Sequence, residues 1–280
     1  MQLLELGIIS AERPLVLLGC GNMGRALLSG WRARGLPADQ IFIIDPALPD
    51  GLPELDIEAS QVGQSVPQGL RAGLVMLAVK PQVFAAAAPS AAAAADGDTA
   101  ILSIMAGVPV RSLEAAFPHN AGCVRAMPNT PAAIGKGITA LYAGPDVVPG
   151  HRRACEALMQ ASGRAVWVES EADLNTVTAI SGSGPAYVFC MMEALKAAGV
   201  KRGLSDAVAQ DLAIETVAGA GALATARTKE PSTLRVQVTS PNGTTEAGLS
   251  VLMDQEKGLF QLIDETVDAA QKRAQALSKS

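Results

Sequence analysis

Aromatic side chains make up only 3% of the 280 residues. With few rings to fill volume, the interior must be built from small and aliphatic side chains, and helices can approach closely. Histidine occurs twice, as His119 and His151, and cysteine four times, as Cys20, Cys123, Cys155 and Cys190. No two cysteines form a C-x-x-C pair, so a zinc or iron–sulfur site lacks ligands at useful spacing and no metal is expected. Scattered single cysteines fit a reducing compartment and read as small buried hydrophobes. Basic runs are missing, and a net charge of −5 offers nothing to a phosphate backbone, which excludes nucleic acid as a partner. Long apolar runs are missing too. Ala85 to Ala95 is short and is interrupted by Pro89, whereas a bilayer span needs about 20 apolar residues. The opening stretch has no basic n-region and carries Glu5 and Glu12, which argues against a signal peptide. A cytoplasmic chain without membrane contact is the expectation.

What is present suits two well-packed domains: 49% apolar and 18% charged residues over 280 positions. The first half alternates between short apolar runs and helical stretches. Leu15 to Leu18, Ile41 to Ile44, Leu74 to Val79, Ala100 to Ile104 and Cys123 to Ala126 read as strands. Strands that are apolar throughout imply a parallel sheet covered on both faces. Ligands collect at the carboxyl ends of such strands. That groups Gly19–Gly24, Asp45, Lys80-Pro81, Gly107 and Met127–Thr130 into one candidate crevice. Ile138 to Ala143 and Ala165 to Val168 read as two more strands, with a helix from about Gly150 to Ser162 between them.

After Glu169 the pattern is helical only, which divides the chain into a dinucleotide-binding domain over 1–169 and a helical domain over 170–280. Ala172 to Ile180 reads as a helix broken at Ser181-Gly182-Ser183-Gly184, and Pro185 suits the first turn of the next. Ser205 reads as the N-cap for Asp206 to Thr228, a helix with almost no polar face. It needs burial on most sides, either against a second copy of the chain or as a central helix within one domain. Two last helices fit Thr245 to Asp254 and Lys257 to Leu277.

Gly19-Cys20-Gly21-Asn22-Met23-Gly24 follows an apolar strand and opens a helix, the context that dinucleotide binding requires of G-x-G-x-x-G. The first glycine permits the turn, the second lets the pyrophosphate approach, and the third lets helix and strand pack. Asn22 and Met23 begin the helix whose free N–H groups face the phosphates. Asp45, at the end of the second strand, reads in two ways. It can accept from both ribose hydroxyls and repel a 2′-phosphate, which favours NADH over NADPH, or it can close a turn with Pro46.

Five segments, in order and over nearly the whole chain, resemble the pyrroline-5-carboxylate reductases. They are Ala78-Val79-Lys80-Pro81, Ala106-Gly107-Val108, Arg125-Ala126-Met127-Pro128-Asn129-Thr130-Pro131, Ser181-Gly182-Ser183-Gly184-Pro185-Ala186-Tyr187, and Val238-Thr239-Ser240-Pro241-Asn242-Gly243-Thr244-Thr245 followed by Ala247-Gly248-Leu249. The resemblance implies an α/β fold, an N-terminal Rossmann-like doubly wound sheet followed by an all-α C-terminal dimerisation domain. It implies a homodimer through the C-terminal helices, able to assemble further into rings such as a decamer. It also implies reduction of a small-molecule substrate, L-Δ1-pyrroline-5-carboxylate, to proline with NAD(P)H.

Ser240 to Thr245 precedes a helix, where N–H groups and hydroxyls can form an anion-binding turn or an ordinary N-cap. By resemblance, Ser240, Gly243 and Thr244 cradle the substrate carboxylate, and Thr245 binds the imine or product amine as the catalytic residue. Lys80 and Pro81 read as cofactor-side residues or as a solvated strand end, and Asn129 and Thr130 as pocket residues or turn formers. Ser181–Pro185 is a site of close backbone approach or a plain helix break. The sequence departs from the family pattern at Asn242, Glu246, Asn175 and Asp45. Asn242 tolerates the positive φ of a glycine turn, and Asp45 bears on cofactor choice. Two competing functions remain, a β-hydroxyacid dehydrogenase and a non-catalytic nucleotide-binding protein. The first lacks a well-placed lysine and the second does not need Ser240–Thr245.

Overall fold

The wholly apolar runs do form strands. In the computed structural model, which describes residues 7–119, 122–226 and 228–278, β1 is Leu15–Leu18, β2 Ile41–Ile44, β3 Val62–Gly63, β4 Leu74–Leu77 and β5 Ala100–Ser103. They are followed by β6 Cys123–Met127, β7 Gly137–Ala143 and β8 Gly163–Trp167. Glu5 lies outside the described residues. The strands make one sheet in the order β3-β2-β1-β4-β5-β6-β7-β8. β1, β2, β4 and β5 are buried at every position because both sheet faces are covered. Successive side chains alternate between the faces. Leu15 and Leu17 join a cluster with Leu27, Leu28 and Trp31 of α1 (Asn22–Ala33) and Leu158 of α4 (Pro149–Gln160). Val16 and Leu18 join a second cluster with Phe84, Ala88 and Ala91 of α2 (Phe84–Ala92) and Leu113 of α3 (Val110–Ala116). Trp31 is fully buried and satisfies its one polar atom by donating Nε1–H to the Leu158 carbonyl at 2.9 Å.

The sheet is not parallel throughout: β6 and β7 are antiparallel. The reason is length. Between them lies little more than the 3-10 turn Thr130–Ile134, and a parallel crossover needs about a dozen residues or more. β1 sits between β2 and β4, both parallel to it, so the winding reverses there and opens a crevice at the carboxyl ends of β1 and β4.

Two units of the chain are compact by themselves, Met1–Gly182 with Ala270–Ser280, and Ser183–Ala269. The first ends in α5 (Asp173–Val177) and a π-helical turn, Thr178–Gly182. The expected helix break at Ser181-Gly182 is therefore a widened turn. Thr178 Oγ1 donates to the Leu174 carbonyl (2.7 Å) and Ser181 Oγ to the Val177 carbonyl (3.1 Å), so the hydroxyls support the widened backbone. The returning C-terminal residues tie to this segment, with Gln271 Nε2 donating to Thr176 Oγ1 (2.6 Å) and Ser278 Oγ to Asn175 Oδ1 (3.1 Å).

The second unit holds α6 (Gly184–Val200), α7 (Asp206–Thr225), α8 (Pro231–Gln237), α9 (Thr244–Leu252) and the first part of α10 (Leu259–Leu277). Ser205 caps α7 by accepting from the Val208 N–H. α7 is not the central helix of a one-chain bundle. Of its residues only Ala209 and Ala213 are buried, while Leu212 is 54% and Leu223 65% exposed. Phe189 and Phe260 are exposed as well. No helix among the described residues is long and apolar enough to cross a membrane.

Candidate active site

The three loop glycines are glycines for different physical reasons. Gly19 has φ +88°, and a Cβ there would lie 2.8 Å from Val79 Cγ1 and 3.1 Å from the Ala78 carbonyl. A Cβ on Gly24 would lie 2.7 Å from the Gly19 carbonyl oxygen. These two are glycines because protein fills the space around them. At Gly21 no protein atom lies within 4 Å of where a Cβ would stand. Gly21 is also the N-cap of α1 and supplies no side-chain cap. The first-turn N–H groups of α1, on Asn22 and Met23, therefore have no side-chain cap, and the position beside them at Gly21 is open.

Asp45 faces this loop. Its Oδ2 accepts the Cys20 N–H at 2.7 Å, and its Oδ1 accepts the Ala47 N–H at 2.9 Å. The second bond closes the Asp-Pro turn and the first pins the glycine loop to β2. The Cys20 thiol beneath is pushed up to about 11, by burial first and then by the charge of Asp45, so it stays protonated and unreactive at neutral pH. Arg25, in the first turn of α1, pairs with Glu54 at 2.8 Å.

Lys80 is exposed and precedes the 3-10 turn Pro81–Val83, at the carboxyl end of β4 beside Gly19. Asn129 is buried, and its Oδ1 accepts the Ile138 N–H at 2.9 Å, which fixes the turn into β7. Thr130 is exposed and opens a turn that packs against α1. Gly182 lies against Met127 at the end of β6; a Cβ on it would meet the Met127 methyl at 2.8 Å. The structure thus brings Gly19–Gly24, Asp45, Lys80 and Pro81 to the carboxyl ends of the adjacent strands β1, β2 and β4, with Thr130 beside α1.

The motif arginine has a partner that the sequence did not disclose. Arg125, on β6, is 8% exposed and donates to Glu171 Oε1 at 2.9 Å. The same oxygen accepts the Val110 N–H at 2.6 Å. A charged residue inside an otherwise apolar strand was the available signal, since a buried guanidinium demands a carboxylate.

In the second unit, Ser240–Thr245 links α8 to α9. Gly243, rather than a serine or threonine, is the N-cap of α9, and no side chain caps that end. The N–H groups of Thr244 and Thr245, in the first turn of α9, thus receive no cap from a serine or threonine side chain. Gly243 N–H donates to the Ser240 carbonyl at 3.0 Å, and a Cβ on Gly243 would collide with Ser240 Oγ. Asn242 has φ +58°, the left-handed conformation that this turn requires. Its N–H donates to Glu246 Oε2 at 2.7 Å.

Comparisons with known proteins point to one family. The family profile described as "Pyrroline-5-carboxylate reductase dimerisation" matches residues 171–277, and one described as "NADP oxidoreductase coenzyme F420-dependent" matches residues 14–107. A pyrroline-5-carboxylate reductase of Pseudomonas aeruginosa is 39% identical over 266 residues, covering 95% of this chain and 97% of that one. A solved pyrroline-5-carboxylate reductase from Coxiella burnetii superposes with a TM-score of 0.86 at 32% identity, covering 96% of this chain and 100% of the other. The Plasmodium falciparum pyrroline carboxylate reductase, solved with NADP bound, gives a TM-score of 0.77 at 25% identity, covering 96% of this chain and 99% of the other. By residues, fold and relatives alike, the chain belongs to the pyrroline-5-carboxylate reductase family.

Proposed function

We propose that the chain reduces L-Δ1-pyrroline-5-carboxylate to L-proline with NAD(P)H, working in the cytoplasm as a homodimer that can assemble into a ring of dimers. The carrying observation is the open space at Gly21 above the uncapped start of α1, between two glycines that protein closes off. A dinucleotide supplies the hydride. Gly19, Gly21, Asn22, Met23 and Gly24 hold its pyrophosphate, and Lys80, Pro81, Asn129 and Thr130 bound its pocket. Residues 1–169 form the dinucleotide-binding half and 170–280 the helical half, a division that the profile match over 171–277 supports.

The chemistry asks little of the protein in acid or base. An iminium carbon is already electrophilic, so the task is to hold it against the hydride donor. Ser240, Gly243 and Thr244 grip the substrate carboxylate, and Thr245 hydrogen-bonds the ring nitrogen. The uncapped start of α9 supports this assignment. For the cofactor, Asp45 places a negative charge where the ribose of the dinucleotide rests, and the nearby cation Arg25 is already paired with Glu54. A 2′-phosphate finds repulsion there, so NADH is the favoured reductant.

One spectrophotometric assay tests these statements together. Adding the cyclic imine is expected to drive NADH oxidation, with a higher kcat/KM than NADPH gives, and 3-hydroxyisobutyrate is expected to drive no cofactor turnover. Thr245→Ala should lower kcat/KM by roughly tenfold or more with cofactor affinity intact. Equal or better efficiency with NADPH would remove Asp45 from cofactor choice, and full activity in the threonine variant would remove Thr245 from the mechanism.

A further inference from the structure

The turn that reads as the carboxylate clasp already holds a carboxylate of its own. Glu246, in the first turn of α9, accepts the Asn242 N–H on Oε2 at 2.7 Å. Asn242 presents that N–H because the left-handed backbone, φ +58°, turns it toward α9. Successive N–H groups in such a turn form a concavity for anions, and here one of them is taken by the chain itself. Glu246 is exposed, so its side chain can leave. A resting place lies nearby. Glu246 and Arg235 line the same groove between α8 and α9, together with Thr239, Leu249 and Met253.

We propose that Glu246 is a specificity-determining residue of this enzyme, a built-in carboxylate that competes with the carboxylate of substrate and product for the 240–245 turn. The inference rests on reading Ser240–Thr245 as the substrate clasp. A ligand carboxylate gripped by Ser240, Gly243 and Thr244 shares a turn of a few residues with the charge of Glu246. Like charges at that range repel, and the ligand must either bear the repulsion or displace Glu246 toward Arg235. The effect falls on substrate and product alike, so it raises KM and speeds release of the amino acid without altering the hydride step. A cyclic imine that has no carboxylate is indifferent to it.

Glu246→Gln is the decisive variant, because glutamine keeps an acceptor for the Asn242 N–H and removes only the charge. Its KM for pyrroline-5-carboxylate is expected to fall about three- to tenfold, and the inhibition constant of proline to fall alongside. KM for 1-pyrroline, the same ring without the carboxylate, should stay unchanged. Glu246→Ala, checked for an unaltered melting temperature, should show the same split between the two imines. Ser240→Ala, measured in parallel, separates the two levels of the argument. If it raises KM for the carboxylated imine alone while Glu246→Gln changes nothing, the clasp stands and the competing role of Glu246 is wrong. If Ser240→Ala leaves KM untouched, the clasp falls and the role of Glu246 with it. An equal shift for both imines in Glu246→Gln would also overturn the proposal, since charge competition cannot act on a ligand without charge.

Discussion

Gly21 and Gly19 stand two positions apart, yet a methyl group added to each should damage different properties. At Gly19 an alanine must adopt φ +88°, which costs about 1–2 kcal/mol for an L-residue, and its Cβ would press on Val79 and the Ala78 backbone. At Gly21 the backbone lies in the extended region, and the added methyl meets no protein atom. Gly19→Ala should therefore lower the melting temperature by several degrees. Gly21→Ala should leave it within about a degree of the parent while weakening NADH binding tenfold or more, since the methyl occupies the approach to the pyrophosphate. Thermal melts and a fluorescence titration of NADH on both variants read the two effects. Loss of stability in Gly21→Ala with unchanged NADH affinity would show that the open space is not the dinucleotide's. Asp45 teaches a related lesson. Its place at the end of β2 could be read from the sequence, but its bond to the Cys20 N–H could not. Backbone donors carry no residue identity, so a side chain's choice among them is written only in three dimensions. The Asn242–Glu246 bond was hidden for the same reason.

Elements announced themselves in proportion to their burial. The four-residue strands β1, β2, β4 and β5 are apolar at each position and buried on both faces, so composition alone marks them. β3 is two residues long, and α8 has seven residues with none buried; neither carries enough periodicity to be read. The helix break expected at Ser181-Gly182 is a π-helical turn because glycine and hydroxyl residues serve either outcome. That turn follows α5, and α5 follows Glu171, whose bonds to Arg125 of β6 and to the first residue of α3 knit three elements of the first unit. Removing the carboxylate leaves a guanidinium buried without its counter-charge. Glu171→Ala should cost about 2–4 kcal/mol in urea unfolding, at the lower part of the range for buried pairs because Glu171 is itself 31% exposed. Glu171→Gln, which keeps an acceptor, should cost less. Arg125→Met with Glu171→Gln should recover much of the loss, since an apolar side chain needs no partner there. A Glu171→Ala variant as stable as the parent would mean that Arg125 finds water instead.

The second unit makes sense as a folded object only when it is counted in copies. Between Ser183 and Ala269, the buried positions among the described residues are Ala209, Ala213 and Gly258. Leu212, Leu223, Phe189, Phe260 and Leu262 are each more than half exposed. A lone monomer rarely leaves so many large apolar side chains exposed in one unit, and each such side chain left in water forgoes roughly 1.5–3 kcal/mol. A net charge of −5 spread over the whole chain is too small to keep such faces apart. The absence of a polar face on α7, visible in the sequence, and the profile match over 171–277 point to the same remedy, a second copy of the chain. Its stability should then depend on protein concentration, because association contributes to folding by mass action. The melting temperature is expected to rise by a few degrees between low-micromolar and high-micromolar protein, with sedimentation giving at least twice the chain mass of 28.7 kDa throughout. Leu212→Glu places a charge on the middle of α7 and should shift the sedimenting species toward the monomer, lower the melting temperature by ten degrees or more, and abolish imine reduction. The same charge at Arg164, an exposed position on β8 in the first unit, should do none of these. A Leu212→Glu variant that sediments and melts like its parent would show that α7 is not covered by a partner. The exposed leucines and phenylalanines would then need an occupant of another kind.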